Sequence, residues 1–206
     1  MKRHLAPCQW RGTRRGQHGA LAVETALVLP ILLGIGLIGS DMMRIHVERI
    51  RIENAAGTMA LNLAAQPELT AAGLDALAEA AMQGHSDHQQ LIILNVRQSG
   101  RIAWALQRGG ASSLCKALAK GGLYSGSLPE QRPSEEGQDG DADNSTLSMI
   151  VVRACRDTRD IALSGGLTLP SVLDTTSIFR ATSTEITLDD TLQAESKASG
   201  LAYSSP

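Results

Sequence analysis

Glu24 is the only ionisable side chain between Ala20 and Gly39, a run otherwise built of Ala, Leu, Ile, Val, Gly, Thr and Pro. A carboxylate left alone in hydrocarbon is disfavoured by several kcal/mol, so its presence there calls for a compensating partner. Three further sets of residues invite chemical readings. Cys115 and Cys155 are the only thiols beyond Cys8, which lies in the basic N-terminal head. His85, Asp87 and His88 cluster within one turn, but a metal shell needs three or four fixed ligands, and a polar loop is expected. Asp139, Asp141 and Asp143 match positions one, three and five of a calcium loop. Asn144 then stands where glycine is needed and Ile150 where a bidentate glutamate is needed, so a solvated acidic loop is expected. No nucleophile elbow, phosphate loop or zinc signature occurs, and the histidines beyond the head, His46, His85 and His88, belong to a helix or a turn. Neither an enzyme nor a bound cofactor or metal is expected.

The elements that must position Glu24 follow from length and charge. The chain has 206 residues and 21.8 kDa, which fits one domain plus an anchor. Apolar residues make up 43% and aromatics 2%, so the core must be built from aliphatic side chains. Net charge is -2, but residues 1–19 carry Lys2, Arg3, Arg11, Arg14 and Arg15 and no acid, leaving 14 basic against 21 acidic side chains beyond them. A basic flank before an apolar run reads as cytoplasmic. The acidic remainder argues against a nucleic-acid surface. Residues 20–40 are about the length that crosses a hydrocarbon core. A secretory signal would need a shorter core and a small-residue cleavage site, and Ser40-Asp41-Met42-Met43-Arg44 supplies none. A lipoprotein signal ending at Cys8 would have only four residues before Leu5-Ala6-Pro7-Cys8 and no apolar core. Pro30 inside the run predicts a kink or a locally unwound turn.

Gly19-Ala20-Leu21-Ala22-Val23-Glu24-Thr25 resembles the processing site of type IV prepilins and pseudopilins. The continuation Ala26-Leu27-Val28-Leu29-Pro30-Ile31-Leu32-Leu33 resembles more narrowly the TadE/TadF-like minor pseudopilins of the tight adherence (Flp, type IVb) pilus system. The likeness is concentrated in residues 14–40. It implies cleavage by a prepilin peptidase between Gly19 and Ala20, on the cytoplasmic side, which puts Glu24 at mature position five. The freed amine of Ala20 would then stand one helical turn from Glu24, and an adjoining subunit would bring its own pair. Amine and carboxylate match only when neighbouring helices are correctly staggered, so the pair specifies register more than it adds stability.

The apolar periodicity continues through Met42, Ile45, Ile52, Ala56, Met59 and Leu63, which predicts one helix from Ala20 to about Ala65, with an amphipathic stalk over 41–66. Gln66-Pro67 ends it, and Thr70 caps a second helix over about 70–83. Residues 91–97 and 101–107 read as a hairpin, and Leu147–Cys155 as the most strand-like stretch. A short helix is expected through 115–120, an acidic flexible loop over 125–146, a closing strand over 177–188 and a disordered tail over 189–206. The fold class expected is α+β, a long N-terminal helix followed by an antiparallel-sheet head over 67–188; this plan follows chiefly from the resemblance. Strands carrying Trp104, Cys155 and Arg180 resemble the TadF branch more loosely. A Cys115–Cys155 disulfide would close a loop of about 40 residues, stabilising by roughly 3–4 kcal/mol in the chain-entropy model; two unrelated buried thiols is the alternative.

The resemblance implies a single-pass inner-membrane protein with a cytoplasmic leader (1–19) and a periplasmic head. Its implied partners are the prepilin peptidase, other Flp pilins and minor pilins, the inner-membrane assembly platform and the lipid bilayer. The alternative is an unprocessed bitopic protein whose head binds a partner.

Overall fold

The computed structural model describes residues 17–129 and 148–201. It shows a long N-terminal helix followed by an antiparallel sheet and short helices. In chain order the elements are α1 (Gln17–Ala64), β1 (Glu68–Leu69), α2 (Ala71–Met82), β2 (Gln89–Arg97), β3 (Ile102–Arg108), β4 (Ala119–Lys120), β5 (Leu123–Tyr124), β6 (Ser148–Asp157), β7 (Val172–Arg180), β8 (Thr187–Leu188) and α3 (Asp190–Ser199). The chain forms two compact units. One is α1 up to Met43 with Leu163–Leu167; the other is Arg44–Ala162 with the chain from Thr168 onward.

The second unit is a four-stranded sheet in the order β3-β2-β6-β7, every neighbouring pair antiparallel. Its two central strands are buried on both faces, which explains their continuous rather than alternating runs of Leu, Ile and Val. One face presents Leu91, Ile93, Trp104, Leu106, Ile150 and Val152 to α1. Ile52, Ala55, Ala56, Met59, Ala60, Leu63 and Ala64 recur every three or four residues on α1 and are buried there, the alanines permitting close approach. Leu74, Ala78 and Met82 of α2, Ile186 just before β8 and Leu192 of α3 complete this core. The other face carries Ile92, Leu94, Val96, Ile102 and Val151 under Leu118 and Tyr124. Gly109, at φ +104°, passes so near β2 that a Cβ there would lie 2.2 Å from the Gln89 carbonyl oxygen, so only glycine fits.

Helix ends follow local chemistry. Thr70 Oγ1 accepts the Gly73 N–H at 3.2 Å and caps α2. Asp189 serves two helices: Oδ1 accepts the Leu192 N–H of α3 at 2.8 Å and Oδ2 accepts the Ala71 N–H of α2 at 2.7 Å. These backbone hydrogen bonds, Leu192 first and Ala71 second, hold its carboxyl below the usual value.

Several expectations need correction. The tail expected to be disordered from 189 holds α3, capped by Asp189 and stopped by Gly200 at φ +64°. It covers the outer edge of the sheet, where Ser196 Oγ accepts the Ala105 N–H at 3.1 Å. The closing strand is Val172–Arg180 rather than 177–188, and Thr187–Leu188 pairs with β1 in parallel instead of joining the sheet. Residues 115–120 are not helical. Gln90 Oε1 accepts the N–H groups of both Leu114 and Cys115, at 2.8 and 2.9 Å, and Ala119–Lys120 pairs with Leu123–Tyr124 across Gly121-Gly122. A six-residue segment nucleates helix poorly, and these tertiary ties win. Most of the expected acidic loop, with Asp139, Asp141 and Asp143, lies outside the described residues, as do residues 1–16 with Cys8.

Candidate functional site

Gly19 and Ala20 lie in the first turns of α1 and Glu24 one turn further on, a rise of about 6 Å from Ala20. The first helical turn lacks intrahelical acceptors for its N–H groups, so the Gly19–Ala20 peptide sits where the helix unwinds at least cost. Glu24 is exposed and forms no ion pair with a described residue. Thr25 Oγ1 donates to the Ala22 carbonyl at 3.1 Å. Leu27, Val28, Ile31 and Ile35 share the face of Glu24, at spacings of three, four, seven and eleven.

The apolar side chains are exposed all around this part of the helix, from Val23 and Leu27 (60% and 65%) to Leu37 and Ile38 (47% and 42%). A helix apolar on every side and without protein cover is suited to lipid. Among the described residues one helix is therefore long and apolar enough to cross a membrane, a property that a membrane span and a signal sequence share. Of the kink or locally unwound turn expected at Pro30, the unwound turn does not form: α1 is continuous helix through that residue. Proline lacks the N–H that would reach the Ala26 carbonyl, and the helix tolerates that single missing bond.

Sequence reasoning gave no role to Asp41, a further carboxylate on α1. Asp41 is fully buried, with Oδ1 accepting the Ser164 N–H at 2.9 Å and Oδ2 accepting the Gly165 N–H. Its position just past the apolar run was a signal, but its partners lie more than 120 residues away.

Cys115 and Cys155 form a disulfide with Cα atoms 5.5 Å apart. It ties the segment after β3 to β6 and spans the chain that includes residues 130–147. His85 Nδ1 lies 3.1 Å from the Gln83 carbonyl oxygen, in the turn after α2. Among the described residues no group of three or more His, Cys, Asp or Glu side chains is placed to hold a metal. A groove of about 540 Å³ lies beside Trp104, lined also by Glu185, Ile186, Leu188, Ser196 and Lys197, and the Ser196 Oγ there accepts the Ala105 N–H. Comparison of the chain with protein-family models, with curated proteins and with solved structures gives no match in any of the three.

Proposed function

We propose that this chain is a minor pilin-like subunit of a Flp/Tad-type pilus, cut between Gly19 and Ala20 by a prepilin peptidase and acting in pilus initiation or assembly. The observation that carries the reading is Glu24, a lone carboxylate in the exposed apolar half of a 48-residue helix, five residues after Gly19. After cleavage the Ala20 amine of one subunit meets Glu24 of the next, and the carboxylate loses its penalty only in the assembled register. The continuity of α1 from its apolar half to the buried Ile52–Ala64 face favours an anchored span over a discarded signal, because a cut just downstream of the run would fall inside unbroken helix.

In this reading the basic leader faces the cytoplasm and the head the periplasm. The chain is the peptidase's substrate, and its partners are other pilins and the assembly platform. Glu24→Ala in cells that assemble the pilus tests the role. The expected outcome is membrane insertion at wild-type level with reduced incorporation into sheared pili. Incorporation equal to wild type would remove the assembly role of Glu24. An uncut chain that still inserts would favour the bitopic alternative.

A further inference from the structure

We propose that Leu163–Leu167, latched to α1 by Asp41, is a lipid-contacting loop that seats in the headgroup layer of the bilayer; this rests on the reading of residues 20–39 as a membrane span. The loop touches α1 backbone to backbone. A Cβ on Gly165 would lie 2.9 Å from the Ile38 nitrogen and 3.0 Å from Asp41 Oδ2, so only glycine allows the approach. The two N–H groups of Ser164 and Gly165 satisfy a carboxylate that is fully withdrawn from water. The contact lies between Ile38 and Asp41, where the uncharged run ends at Gly39. Twenty helical residues match a hydrocarbon core about 30 Å thick, so the loop falls at its boundary.

Composition points the same way. From Ile161 to Leu173 no ionisable side chain occurs, and Leu163, Leu167 and Leu169 alternate with small or hydroxyl residues. Loops that face water are ordinarily polar. An uncharged loop held level with the end of a span fits a lipid surface, where the half-buried Leu163 and Leu167 leave apolar area at the acyl boundary and the exposed Ser164 and Gly166 meet headgroups. Its base is closed independently: Thr158 Oγ1 donates to the Pro170 carbonyl at 2.6 Å, and the Thr158 N–H to Ser171 at 3.2 Å.

Nitroxide labels test this on the full chain, with Cys8→Ser, in phosphatidylethanolamine–phosphatidylglycerol vesicles. Labels at Leu167→Cys, Val28→Cys and Ala72→Cys report the loop, the span and the exposed face of α2. The reading is the ratio of accessibility to oxygen over a water-soluble nickel chelate. The expected ratio at 167 is several-fold above that at 72 and below that at 28, falling toward that at 72 when Asp41→Ala is added. A water-like ratio at 167 beside a lipid-like ratio at 28 overturns the loop and leaves the span standing. A water-like ratio at 28 overturns both. A label at 167 shielded from both reagents, and released on dilution with lipid, identifies a second copy of the chain as the occupant and also overturns the proposal. An Asp41→Ala ratio equal to that of the parent overturns the latch.

Discussion

Arg156 Nε lies 3.0 Å from Glu48 Oε2, joining the end of β6 to α1 across 108 residues of sequence. Nη2 reaches Asp160 Oδ2 at 2.9 Å, and Glu48 Oε1 also accepts from Arg51 at 2.7 Å. The Arg156 side chain is 3% exposed and that of Glu48 14%, so the pair is a buried link between helix and sheet. Removing one member strands the other, whereas replacing both by apolar side chains does not. Glu48→Ala should lower unfolding stability by about 3 kcal/mol, and the double variant Glu48→Leu with Arg156→Met by distinctly less, measured by urea unfolding in detergent. Equal losses would show that packing, not the stranded charge, sets the cost.

Two carboxyls make the head sensitive to acid. Side-chain and backbone hydrogen bonds from Arg159 lower the Asp157 carboxyl from 3.8 to about 2, and the helix caps lower Asp189 in the same direction. A carboxyl depressed on folding contributes stability that is complete above its unfolded value and lost as pH falls through its folded value. The Asp157 contribution is therefore present above about pH 4 and lost toward pH 2. Thermal melts between pH 5 and 2 should show a falling Tm, and Asp157→Asn should flatten that slope. Asp189→Ala should lower Tm more than Thr70→Ala, because it leaves two helix N–H groups without their acceptor.

The Cys115–Cys155 bridge closes a 40-residue separation that includes residues 130–147. The double Cys→Ser variant should lose about 3–4 kcal/mol by the chain-entropy account. Alkylation of the unreduced protein should leave Cys115 and Cys155 unlabelled. Labelling without reductant would contradict the bridge.

How much was legible depended on where each signal lay. The helix over 17–64, the Thr70 cap and strands β2, β3 and β6 follow from patterns within ten or so consecutive residues. Helix α3 escaped because its sequence is polar, with Leu192 as its one large apolar anchor; Asp189 and Gly200 were the available start and stop signs. The segment 115–120 looked helical locally but is held by Gln90 and the disulfide, which no local window shows. The same division runs through the candidate site. Gly19, Ala20 and Glu24 stand side by side in the chain, while Asp41 and Gly165 are 124 residues apart and meet only after folding.

The account turns on the cut before Ala20. N-terminal sequencing and intact mass of the protein recovered from membranes and sheared pili test it directly. The account predicts a chain beginning Ala20-Leu21-Ala22-Val23-Glu24, lighter by about 2 kDa than the 21.8 kDa full chain, from the loss of 19 of 206 residues. A membrane-embedded, pilus-associated protein that begins at Met1 or Lys2 would contradict it.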